Sequence, residues 1–157
     1  MYKNLDEEHY VENSFLEQLQ KLGWKIYRQN KDDTEDAKEI IQFDSSGEPI
    51  YGESVKFRES FREIILEQEL RHSIKRINSW IEDAQVSEVV RRITMPQANS
   101  LLEANREIHD LLLENTSVSE NRKTGEKSPT VRFLDFKNPE NNSIIAISQF
   151  KVNTPGT

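Results

Sequence analysis

Cysteine is absent from the 157 residues, which removes disulfides, thiolate nucleophiles and cysteine-based metal sites together. Glycine is scarce, and Gly23, Gly47, Gly52, Gly125 and Gly156 stand singly, so no glycine-rich phosphate loop can form and ATP is not expected to bind within this chain. Histidine is limited to His9, His72 and His109, none at a paired-ligand spacing; an all-histidine zinc site is not expected, and all three read as surface residues. Apolar runs reach only four residues, as in Ile144-Ile145-Ala146-Ile147, far short of a membrane span. Residues 2–6 form no apolar leader, so the expected location is the cytoplasm, away from membrane. In that setting the Asn-x-Ser patterns at Asn115 and Asn141 carry no glycosylation signal.

Basic charge is the next shortage, and it is local. Residues 1–53 hold 13 acids and 6 bases, a net of −7, whereas residues 54–157 hold 15 of each. A basic face for electrostatic capture of nucleic acid is therefore not expected of the chain as a whole. An acidic cleft of the kind a metal-dependent nuclease uses remains open.

What is present reads as mixed helix and strand. Over residues 6–22, Val11, Phe15, Leu16, Leu19 and Leu22 recur at helical spacing, and Gly23 supplies a left-handed stop. Glu12, three residues before Phe15, falls near the edge of that stripe. Trp24, Ile26 and Tyr27 then read as a short strand, and residues 29–53 as an acidic surface excursion with one apolar element at 40–43. Asp32, Thr34 and Asp36 invite a calcium loop, but Ala37 occupies the place of the turning glycine and Phe43 that of the bidentate glutamate. Ser60-Phe61-Arg62-Glu63 is a capping-box pattern, predicting a long helix with Phe61, Ile64, Ile65, Ile74 and Ile77 on one face and a break near His72. Arg71, Lys75 and Arg76 form its basic patch, either a solvated face paired with Glu67 and Glu69 or a candidate DNA-phosphate contact. Val86, Val89, Val90 and Ile93 predict a second helix ending near Pro96. Leu101, Leu102, Ile108, Leu111 and Leu112 give the apolar side of a third over 97–113. Residues 116–118 and 130–135 can pair as a hairpin. Residues 131–152 read as another, turning at Asn138-Pro139 and Asn141-Asn142, and the turn signal over 153–157 predicts a further element beyond it.

Taken together, these stretches resemble the N-terminal domain of the restriction (R, HsdR) subunit of type I restriction-modification enzymes. The resembling residues are Glu12-Asn13-Ser14-Phe15-Leu16 through Leu22-Gly23-Trp24, and Phe61-Arg62-Glu63-Ile64-Ile65 through Ile74-Lys75-Arg76-Ile77-Asn78. Asn105 with Leu111-Leu112 follows, then Val131 to Asp135, Asn138-Pro139, Asn142 and Gln149-Phe150-Lys151-Val152. The resemblance implies a metal-dependent DNA endonuclease domain of the PD-(D/E)xK class, joined in the parent to ATP-driven motor domains. It implies Mg²⁺ and ATP as cofactors of the full-length parent, DNA as substrate, and methyltransferase and specificity subunits as partners. Glu12 matches the auxiliary acidic residue on the first helix. The family's catalytic Asp and ExK fall beyond Thr157, so the segment alone is expected to be inactive.

The expected fold is α+β, the N-terminal part of a PD-(D/E)xK restriction-endonuclease-like domain: helix plus strand (1–28), acidic excursion (29–53), helical region (54–114) and β-hairpin region (115–157). The alternative function is a non-catalytic helical protein-interaction module. A sequence-reading DNA-binding domain fits less well, since no basic recognition helix is apparent.

Overall fold

The computed structural model describes residues 11–29 and 37–153. It divides the chain into two compact units, one of residues 1–64 with 143–157 and the other of residues 65–142.

In the first unit, helix α1 (Asn13–Lys21) stops where predicted, with Gly23 in the left-handed region at φ 88°. The predicted start lies outside the described residues. The predicted stripe is narrower than expected: Leu16 is buried and Leu19 half-buried, whereas Val11, Phe15 and Leu22 are exposed. A helix this short meets the sheet through one central residue, and Leu16 packs there with Ile26 and Ile41, flanked by Leu19, Trp24, Phe43 and Ala146.

Residues 38–55 are not a surface excursion. Strands β1 (Lys25–Gln29), β2 (Lys38–Phe43) and β3 (Pro49–Val55) form an antiparallel meander in which Ile26 faces Ile41 and Ile41 faces Tyr51. The β-branched Ile40 and Ile41 suit a pleated surface. Asp44 closes the β2–β3 reversal: its Oδ1 accepts from Ser46 N (2.8 Å), Ser46 Oγ (2.6 Å) and Glu48 N (3.0 Å), and Gly47 takes φ 82°. Asp32, Thr34 and Asp36 lie outside the described residues.

The expected hairpin over 131–152 does not form. Strand β6 (Ile145–Ser148) instead lies parallel to β1, with Ile145 beside Lys25 and Ser148 beside Arg28, giving the sheet order β3-β2-β1-β6. A parallel neighbour needs a long crossover in place of a tight turn; residues 65–142 supply it. The capping-box pattern at 60–63 opens no helix either. Glu63 N donates to Ser60 O (3.1 Å) and Arg62 N to Ser60 Oγ (3.2 Å), closing a turn that buries Phe61 against Arg58.

The second unit begins with α2 (Glu67–Ile77), unbroken at His72, followed by α3 (Asp83–Thr94) and α4 (Leu101–Glu114). Strands β4 (Thr116–Ser117) and β5 (Thr130–Val131) pair antiparallel, as the sequence predicts. The core is Ile74, Val86, Val89, Val90, Val118, Val131 and Phe133, with Leu111 and Leu112 packed against it. Leu101 and Leu102, predicted to be on the apolar side of α4, are each 80% exposed. The first turn of α4 projects past the core, which only its last turns reach.

Three buried amides carry the polar side of this unit. Asn78 Nδ2 donates to Ile74 O (2.9 Å) and Arg132 O (2.7 Å), while its Oδ1 accepts from Arg132 N (2.9 Å). Asn121 Nδ2 donates to Trp80 O (2.9 Å) and Gln85 Nε2 to Ser119 O (2.7 Å). After β5, Asp135 gathers a loop that ends in a 3-10 turn at Pro139–Asn141.

Candidate functional site

Glu12 stands at the N-cap of α1 with helical backbone angles, and its carboxylate makes no capping bond to its own helix. Because α1 runs back across the sheet, its first residues lie by the C-terminal end of β6. There Glu12 Oε1 accepts a hydrogen bond from Ser148 Oγ. Gln149 Nε2 donates to both carboxylate oxygens, at 3.0 Å to Oε2 and 3.3 Å to Oε1. Ser148 is buried, and Gln149 is a non-glycine residue in the left-handed region at φ 57°.

The two residues that follow enter a second group, in which cations and rings alternate. Lys38 Nζ lies 5.4 Å from the centre of the Phe57 ring and 5.6 Å from that of Phe150. Arg58 covers Phe150 at 4.1 Å and Phe61 at 5.4 Å, and Lys151 Nζ lies 4.8 Å from Phe61. Tyr27 meets Phe57 edge-on at 4.8 Å. Lys38 and Arg58 are both buried. Arg58 donates to Glu63 O (2.7 Å) and to Lys151 O, and Asn153 N to Phe61 O (3.0 Å), which fixes the chain after β6 against residues 58–63. Gln29, the cross-strand partner of Lys38, donates to Ala37 O (3.0 Å) and leaves its buried Oε1 without a hydrogen bond. Desolvated cations against aromatic faces contribute more than exposed ones, so the end of β6 is held from two sides.

Of the predicted site residues, Glu12 belongs to this unit, and Arg71, Lys75 and Arg76 belong to the other. Arg71 Nη2 pairs with Glu67 (2.8 Å), Lys75 with Asp83 (2.5 Å), and Arg76 Nε donates to Asn141 O (2.7 Å). The hydrogen bond and charge of Lys75 hold the Asp83 carboxyl below its ordinary range. His72 and His109 are exposed, the latter 3.2 Å from Asp110, while His9 lies outside the described residues. Lys38 and Arg58 had no sequence signal, because neither stands in a motif and their ring partners come together only in the fold; Gln149 was visible only within the family resemblance.

One carboxylate with two neutral donors does not make a divalent-cation site, which takes several oxygen ligands. Among the described residues, no group of three or more His, Cys, Asp or Glu could hold an ion. The described residues therefore do not fit Mg²⁺ by themselves. Among them also, no helix is long and apolar enough to cross a membrane.

Residues 4–157 match the family described as type I restriction enzyme R protein N terminus. The chain belongs to that family. The chain is 25% identical over 145 residues to the type I restriction enzyme HindI endonuclease subunit of Haemophilus influenzae, covering 92% of the chain and 12% of that subunit. It is 24% identical over 148 residues to a Methanocaldococcus jannaschii protein named for the MjaIXP type I restriction enzyme endonuclease subunit, covering 94% of the chain and 12% of that protein. The chain thus spans about an eighth of the length of these curated relatives. No solved structure matches it at a significant level.

Proposed function

We propose that this chain is the beginning of the DNA-cleaving domain of a type I restriction R subunit, with a PD-(D/E)xK-like fold, and that Glu12 is the acid its first helix contributes to the cleavage centre. The observation that carries this reading is the placement of Glu12. A solvated helix-edge glutamate would point to water, whereas this one is held at the C-terminal end of a sheet strand by residues 136 and 137 positions away. Mg²⁺ and ATP-driven translocation belong, in this reading, to the complete subunit, which works on DNA in the cytoplasm with methyltransferase and specificity subunits. With one acidic group, the segment alone is expected to be inactive.

The test uses the full-length R subunit assembled with those partners. Glu12→Gln should slow DNA cleavage by about 100-fold or more, the scale of losing one preorganised electrostatic group at a reacting centre, with DNA binding unchanged. Cleavage at the unaltered rate would remove Glu12 from the chemistry.

A second reading, a protein-docking role, draws on the exposed Leu101 and Leu102 at the start of α4. The Arg71, Lys75 and Arg76 face is the corresponding candidate for phosphate contact, and it would have to exchange its present intramolecular partners for phosphate.

A further inference from the structure

The geometry points to Ser148 and Gln149 as positioning residues for the Glu12 carboxylate, an inference that rests on the nuclease reading above. Acids at a helix start ordinarily cap the helix's own N–H groups or complement its dipole. Glu12 has helical angles in a π-helical stretch at 11–12 that leads into α1, so it is not set to cap; its two oxygens are taken up by donors from the end of β6. Both donors are neutral. They fix the carboxylate's rotamer and direction without cancelling its charge, as a Lys or Arg partner would.

The backbone supplies an independent observation. Gln149 takes φ 57°, a left-handed conformation that suits glycine and is strained for a side chain of this kind. A residue chosen for the turn alone would be Gly or Asn. Gln149 accepts the strain, and in that conformation its amide reaches both oxygens of Glu12. Ser148 is the last residue of β6, locked beside Arg28 by the β1 pairing and only 6% exposed, so its hydroxyl is held by the sheet. The two donors therefore rest on a rigid strand end, anchored in turn by Phe150 and Lys151 against Arg58.

A merely structural tie and a positioning role predict opposite responses to glycine. Gln149→Gly relieves the backbone strain and deletes the donor. In the full-length R subunit with its partner subunits, positioning predicts cleavage slowed about 10-fold to 100-fold, with an unfolding midpoint equal to or above that of the unaltered protein. Ser148→Ala should slow cleavage in the same direction. In a Glu12→Gln background neither change should slow cleavage further, because both act through that carboxylate. Gln149→Gly and Ser148→Ala cleaving at full rate while Glu12→Gln does not would overturn the positioning role and leave the nuclease reading standing. Losses that add to that of Glu12→Gln would also overturn it. Glu12→Gln cleaving at full rate would remove the nuclease role of Glu12 and the positioning role with it.

Discussion

Asn78 shows how much one side chain can carry in a chain with no disulfide and modest apolar content. Its amide pairs with both the N–H and the C=O of Arg132, as a neighbouring strand would, and so continues the ladder where β5 ends. Replacing it by Ala leaves the N–H and C=O of Arg132 short of partners, at a cost of about 1–3 kcal/mol for unsatisfied buried groups, while Ile74 O keeps the backbone N–H of residue 78 (3.0 Å). The expected outcome for Asn78→Ala is a lowered denaturant midpoint with unchanged slope; an unchanged midpoint would show that water replaces the amide. In sequence Asn78 was one more polar residue after a helix. Nothing local distinguishes an amide that solvates a turn from one that completes a strand, and the same holds for Gln85 and Asn121. Glu12 was legible as a position at the edge of a helix, while its partners were not, because they lie more than 130 residues away.

Elements were more legible than residues, and their pairing less so. The helix ending at Gly23, the α3 stripe of Val86, Val89 and Val90, and the β4–β5 pair follow from short-range periodicity and stop signals. The misplaced hairpin over 131–152 has a physical reason in Asp135. This buried carboxylate accepts from Lys137 N (3.1 Å), Asn138 N (3.1 Å) and Asn141 Nδ2 (2.9 Å), so the polar run that looked like a tight turn builds a loop of its own. Hydrogen bonding from Asn141 first, then from Asn138 N, lowers the Asp135 carboxyl from 3.8 to about 2. A lowered carboxylate stabilises the fold fully above its ordinary value, and that contribution is lost as pH falls through the native one. The expected result is a stability difference between the unaltered chain and Asp135→Asn that is constant above about pH 5 and shrinks between pH 3.8 and about 2. Denaturant titrations at stepped pH measure it; a difference independent of pH would contradict the assignment.

At the scale of the whole molecule, charge is the quantity the sequence fixes directly. With a net charge of −7 carried within residues 1–53, the isolated chain should bind duplex DNA more weakly than about 10⁻⁴ M at physiological salt, outside the usual range of non-specific binders. Fluorescence anisotropy with a labelled duplex measures this, and micromolar binding would mean that a basic face such as Arg71, Lys75 and Arg76 acts independently of the overall balance. The division into units was not visible in composition. The change from the polar run over 137–143 to Ile144-Ile145-Ala146-Ile147 reads in sequence as a turn before a strand, and the boundary follows from which strands pair.

Sequence alone determined what neighbours in the chain decide: helix periodicity, the stop at Gly23, the charge asymmetry, the absence of thiol chemistry, and the family to which residues 4–157 belong. Tertiary structure decided what requires a partner distant in sequence. It placed β6 beside β1 in place of residue 131, turned residues 38–55 from a surface excursion into two sheet strands, and brought Ser148 and Gln149 to Glu12. Local propensity acts over a few residues, whereas parallel strand pairing and the orientation of a carboxylate depend on contacts that close only when the chain folds back on itself.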